Sequence, residues 1–99
     1  MDIKLVDRGD VGELILMGKL DTTNADRVSE VFLKVADRFG NITLNMSGLK
    51  YISSAGLRSL KKLYIKIRAG GGELKIINAM PYVQEVLEMA GFAELVSVK

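Results

Sequence analysis

Two adjacent hydroxyls, Ser53 and Ser54, stand just before an apolar-periodic stretch, and they are the side chains best placed to do chemistry. A helix beginning there aims its unpaired N–H groups and about half a unit of positive charge at them. Left free, such hydroxyls cap the helix, a position serine favours. Phosphorylated, either one becomes an anion that the same N–H groups can accept. Asp21 is the other reactive candidate, on a turn where it can cap a helix, face a partner, or do both. The chain has no histidine and no cysteine. The commonest general base, the commonest metal ligands and any disulfide framework are therefore excluded. Asp21 has no second carboxylate or base beside it in the sequence, so an enzyme built on it would lack the usual acid–base pair.

The elements that must position these groups are legible from periodicity. Met1 to Arg8 reads as a short strand, Gly9-Asp10 as a turn, and Leu14-Ile15-Leu16-Met17 as a strand covered on both faces, the two runs forming a hairpin. Ala25, Val28, Val31, Phe32, Val35, Ala36 and Phe39 recur at spacings of three and four, which predicts a helix with Asp21-Thr22-Thr23 as candidate caps and Gly40 at its end. Ile42, Leu44 and Met46 alternate as a strand. A second helix is expected from Ser53 or Ser54 to about Ala69, with Leu57, Leu60, Leu63, Tyr64 and Ile67 inward. Gly70-Gly71-Gly72 ends it; three glycines after a helix and before a strand are the reverse of a phosphate-binding loop. Glu73 to Asn78 reads as a strand, Pro81 opens a third helix closed by Gly91, and Leu95 to Val98 is a candidate final edge strand. The order implies one α/β domain over residues 1–99, with a mixed, mostly parallel sheet of four or five strands, an N-terminal hairpin and helices packed on it.

Four segments, in order, resemble the landmarks of STAS domains of the bacterial anti-sigma-factor antagonist type. Tyr51-Ile52-Ser53-Ser54-Ala55-Gly56-Leu57-Arg58 is similar to the family signature, and Gly18-Lys19-Leu20-Asp21-Thr22-Thr23-Asn24-Ala25 to its Gly-x-Leu/Ile-Asp turn. Gly71-Gly72-Glu73-Leu74-Lys75 resembles its glycine-led strand, and Val86 to Phe92 its closing helix and glycine. The resemblance implies a partner switch. The unphosphorylated antagonist binds an anti-sigma factor that is also a serine kinase, freeing the sigma factor; phosphorylation ends that complex and a metal-dependent serine phosphatase resets it. Aligned on Gly56-Leu57, the implied phosphoacceptor is Ser54, with Ser53 as runner-up. The implied partner-binding set is Asp21, Thr22, Thr23, Asn24, Ser53, Ser54, Ala55, Gly56 and Arg58. Ser53 stands where the best-known members have Asp, and Ala55 replaces a second hydroxyl residue. A rival within the same family is a STAS subunit of a transporter or sensory assembly, in which Ser54 is merely a cap.

Composition is ordinary for a globular chain, at 48% hydrophobic and 26% charged. A net charge of +2 does not suggest nucleic-acid binding, and the basic side of the second helix reads as a solvated face. No apolar run approaches the roughly 18 residues of a membrane span. The start Met1-Asp2-Ile3-Lys4 enters a strand pattern at once, so a cytoplasmic location is expected, with no cofactor, no metal and no direct membrane insertion. The module is expected to be a non-enzymatic binding protein, monomeric when unbound.

Overall fold

Strand register decides which side of this chain is core. The computed structural model describes residues 1–95. Its elements are β1 (Asp2–Asp7), β2 (Val11–Leu20), α1 (Ala25–Arg38), β3 (Asn41–Ile52), α2 (Ser54–Ala69), β4 (Leu74–Ile77) and α3 (Pro81–Met89), followed by a 3-10 turn, Ala93–Leu95. The four strands lie in the order β1-β2-β3-β4, with β1 antiparallel to β2 and the other pairings parallel. The hairpin, the mixed sheet and the alternation with helices agree with the expected fold class. Leu95 belongs to the 3-10 turn, and the rest of the expected final strand lies outside the described residues.

One row of opposed residues, Leu5–Leu14–Leu44–Ile76, crosses the whole sheet. Leu14, Leu44 and Ile76 are completely buried beneath helical residues such as Val28, Phe32, Leu63, Val83 and Leu87. The neighbouring row, Lys4–Ile15–Asn45–Ile77, points the other way, because successive strand side chains alternate faces. Ile15, Asn45 and Ile77 are only half-buried and Lys4 is exposed. The run Leu14–Met17 is thus covered on one face only: Leu16 is fully buried, whereas Met17 is 40% exposed. A continuous apolar run suggested two covered faces, but the helices here pack on one.

Polar groups are paired wherever they enter this frame. On the open face Glu13 is nearly buried, taking a hydrogen bond from Arg8 Nε at 2.6 Å and from Asn45 Nδ2 at 3.1 Å. Between α1 and α2, Ser29 Oγ donates to Ser59 Oγ at 2.7 Å, and Ser59 Oγ donates to the Ala25 carbonyl at 2.9 Å. Among the described residues, no buried side-chain nitrogen or oxygen lacks a partner.

Candidate functional site

The two central strands end together, and this brings the sequence-distant serine and aspartate turns side by side. Leu20 and Ile52 are opposed at the ends of β2 and β3. Ser53 N–H then donates to the Leu20 carbonyl at 2.9 Å, which carries the pairing one residue beyond the strands. The first turn of α2 is pressed onto the same place through Gly56. A Cβ there would lie 2.7 Å from Leu20 Cγ and 2.9 Å from Ile52 Cγ1, so no larger residue fits without displacing both. Leu20 is therefore the floor from which Asp21 leaves in one direction while Ser53 stands against it in the other.

The two serines have different jobs. Ser53 is the N-cap of α2, extended at φ −93° and ψ 175°, and its Oγ accepts a hydrogen bond from Gly56 N–H at 3.2 Å. Ser54 is the first helical residue and exposed, and its Oγ has no hydrogen-bond partner among the described residues. The N–H groups of Ser54 and Ala55 belong to the unpaired set that opens any helix. Ser54 thus offers a free hydroxyl beside two free donors and the positive end of the helix. The turn is tighter than the sequence suggests, since Tyr51 and Ile52 still belong to β3 and Ser53 alone joins strand to helix.

Asp21 does not cap α1. Its Oδ1 accepts from Thr23 N–H at 3.0 Å and from Thr23 Oγ1 at 2.6 Å, closing a turn on itself. Asn24 bounds the helix and locks the turn from the other side. Its Oδ1 accepts Asp21 N–H at 3.0 Å, and its Nδ2 donates to the Lys19 carbonyl at 2.9 Å. The Thr23 hydroxyl, then backbone N–H groups and the charge of Lys19, hold the Asp21 carboxyl below the usual aspartate range. A rigid, anionic turn results, with Thr22 and Thr23 exposed.

The residues expected at the site separate by accessibility. Thr22, Thr23, Ser54 and Arg58 are exposed; Asp21, Asn24, Ser53 and Ala55 are half-buried; Gly56 is buried and serves as a spacer. Lys19 and Tyr51 were not singled out in the sequence, yet they are opposed in register at the strand ends, and Tyr51 is 38% exposed. An aromatic two residues before a cap serine was the available signal. Among the described residues no group of three or more acidic side chains could hold a metal, and no helix is long and apolar enough to cross a membrane.

Known proteins resemble this chain at the level of family, sequence and fold. A family model described as the STAS domain matches residues 2–99. BtrV of Bordetella bronchiseptica, a candidate anti-sigma factor antagonist, is 33% identical over 84 residues, covering 84% of this chain and 72% of BtrV. The anti-sigma factor antagonist SpoIIAA in its unphosphorylated form is 17% identical with a TM-score of 0.86, covering 97% of this chain and 86% of that one. SpoIIAA from Bacillus in its phosphorylated form is 16% identical, with a TM-score of 0.79 over 97% of this chain and 89% of that one. A murine anion transporter, solute carrier 26 family member A9, has a TM-score of 0.73 and is 20% identical over 88% of this chain, which spans 16% of the transporter.

Proposed function

The chain belongs to the STAS domain family, and from that premise we propose that it is an anti-sigma-factor antagonist whose partner surface is switched at Ser54. It binds an anti-sigma factor when Ser54 is free and is released when Ser54 carries a phosphate. The observation that carries this reading is the division of labour between the serines, Ser53 spent as the cap and Ser54 exposed with its hydroxyl unpaired among the described residues. The anti-sigma factor is itself the kinase. Ser54 Oγ attacks the γ-phosphorus of ATP, an O–P bond forms as the bond to ADP breaks, and the hydroxyl proton passes to a kinase base. A serine phosphatase hydrolyses the ester and restores the hydroxyl. Such a cycle belongs in the cytoplasm and asks this chain for no catalysis of its own.

Phosphorylation adds about −1.5 to −2 charges at pH 7. At the start of α2 that charge meets unpaired N–H groups and the helix dipole, so the fold tolerates it. The cost falls on the complex, where the phosphate adds bulk and charge beside the anionic Asp21 turn. The test is incubation with the anti-sigma kinase and ATP, then mapping of the modified residue by mass spectrometry. Modification at Ser54 is expected; modification only at Ser53, or none, overturns the reading. Ser54→Asp should lose the complex and Ser54→Ala keep it.

The fold also occurs within a transporter, so a constitutive subunit with Ser54 as a mere cap is the second reading. The hydrogen bonding favours the first, because the capping bond is made by Ser53. Equal partner binding by Ser54→Asp and Ser54→Ala would favour the second.

A further inference from the structure

A groove of about 350 Å³, which shares Arg58 with the expected partner surface, opens between α2 and the segment that follows α3. Its walls are Leu57 and Tyr64 of α2 and Phe92 and Leu95 beyond α3. All four are half-buried and packed on the core, so part of each side chain remains open to an occupant. Arg58 and Lys61 stand on its α2 side, and neither is in an ion pair among the described residues. Glu94 is the one acidic side chain in the lining among the described residues.

We infer that this groove binds a small amphipathic monoanion, an aryl or alkyl carboxylate whose hydrocarbon part lies between Tyr64 and Phe92 and whose carboxylate meets Arg58 and Lys61. Three features select this class. The volume falls at the small end of small-molecule sites, which span about 300–1,000 Å³ with apolar walls and a few polar groups that fix orientation. Among the described residues the lining carries two cations against one anion, so it favours a negative group. Glu94 disfavours a second one and makes a monoanion the best match. Arg58 can present two parallel N–H groups to a carboxylate, which an alcohol or amide of the same shape cannot exploit. The inference stands whether or not Ser54 is the phosphoacceptor. Arg58 is also one helical turn from Ser54, so an occupied groove would change the charge next to the partner surface.

The experiment is a titration of the full chain, followed by two-dimensional NMR of its backbone amides, with 4-phenylbutyrate and, separately, with 4-phenylbutanol. Shifts should cluster at Leu57, Tyr64, Phe92 and Leu95, with the acid binding about tenfold more tightly than the alcohol. Arg58→Glu with Lys61→Glu should weaken the acid about tenfold. The remote exposed change Lys34→Glu should leave it unaltered, and retained spectral dispersion verifies folding of each variant. Equal binding of acid and alcohol, shifts scattered elsewhere, or indifference to the charge reversal each overturns the inference. So does a groove that binds neither compound in the full chain but opens to both when residues 96–99 are removed, since its occupant would then be the chain itself. A groove protected only by a protein partner, with no shifts from either compound, overturns it as well.

Discussion

Among the described residues, Glu13 and Asp21 are the two carboxylates held below the ordinary range, both mainly by side-chain hydrogen bonds, yet their bonds are arranged differently. Glu13 is reached by Arg8, five residues before it, and by Asn45 on the neighbouring strand, and it is nearly buried. Asp21 is satisfied by its own turn and keeps Thr22 and Thr23 facing outward. A perturbed pKa is often read as a sign of a functional site. Here the shift alone does not discriminate. What separates the two is whether the bonds tie strands together or shape a surface. The first arrangement contributes stability; under the proposed function, the second contributes recognition.

The largest effect should come from breaking the cross-strand knot. Glu13→Ala leaves the Asn45 amide and Arg8 guanidinium without their acceptor. It should destabilise the fold by about 2 kcal/mol, read as the urea midpoint, while partner affinity of the folded fraction stays unchanged. Substantial loss of affinity without loss of stability would reverse the roles assigned to the two carboxylates.

Acid gives the same distinction without removing either side chain. With its folded pKa lowered by Arg8 first and Asn45 second, Glu13 binds fewer protons in the native state than in the unfolded one. Its contribution is therefore complete above the unfolded-state glutamate value and is lost as pH falls through the lower folded value. Glu13→Gln should flatten the acid limb of stability against pH. Asp21 carries the same sign, but it lies on an accessible turn, so the Lys19 part of its effect should fade with added salt. A Glu13 contribution that faded equally would break the contrast.

The cap comes next in size. Ser53→Ala removes the acceptor for Gly56 N–H and should cost about 1 kcal/mol in thermal or urea unfolding. Ser54→Ala removes no hydrogen bond among the described residues and should be close to neutral. A larger loss at Ser54 than at Ser53 would mean the two serines have been assigned the wrong way round. Asp21→Asn should lower the unfolding midpoint less than Glu13→Ala does and weaken partner binding roughly tenfold, because it removes the charge while keeping a similar shape.

How far these assignments could be read in advance depends on the residue. Helices α1, α2 and α3 were legible because their apolar stripes repeat at helical spacing and Gly or Pro marks their ends. Strand β3 was legible only in its first half. Beyond Met46 the alternation fails, because register shifts between Ile15 and Met17 and between Gly18 and Lys19 change which residues face inward. Gly48 lies inside this stretch and looks like a turn residue. It is there because Met17 Cγ would sit 2.9 Å from any Cβ. The serine turn was legible as a helix start. The assignment of cap to Ser53 was not, since either hydroxyl can serve until the end of β3 is known. Asp21 looked like a helix cap because Asp is a good one; Thr23, two residues on, captures its carboxylate first. The Ser29–Ser59 pair left no periodic trace at all, because it depends on where α1 crosses α2.

The smallest expected effect is the most informative about the switch. Ser53→Asp puts a carboxylate where the hydroxyl now accepts Gly56 N–H, and Asp caps helices about as well as Ser. The added charge sits at the positive end of α2, so stability should change by no more than about 0.5 kcal/mol, in the favourable direction. The same charge lies next to Ser54 and near the Asp21 turn, in the surface that the proposed kinase would read. If the kinase recognises an acidic residue before the acceptor, phosphate transfer to Ser54 should become faster while the fold is unmoved. Mass spectrometry of the time course, beside the unfolding curve, measures both. Faster transfer at unchanged stability would separate recognition from capping at a single position. Unchanged transfer would mean that the kinase reads the shape of the turn and Ser54 itself, and that Ser53 contributes only its cap.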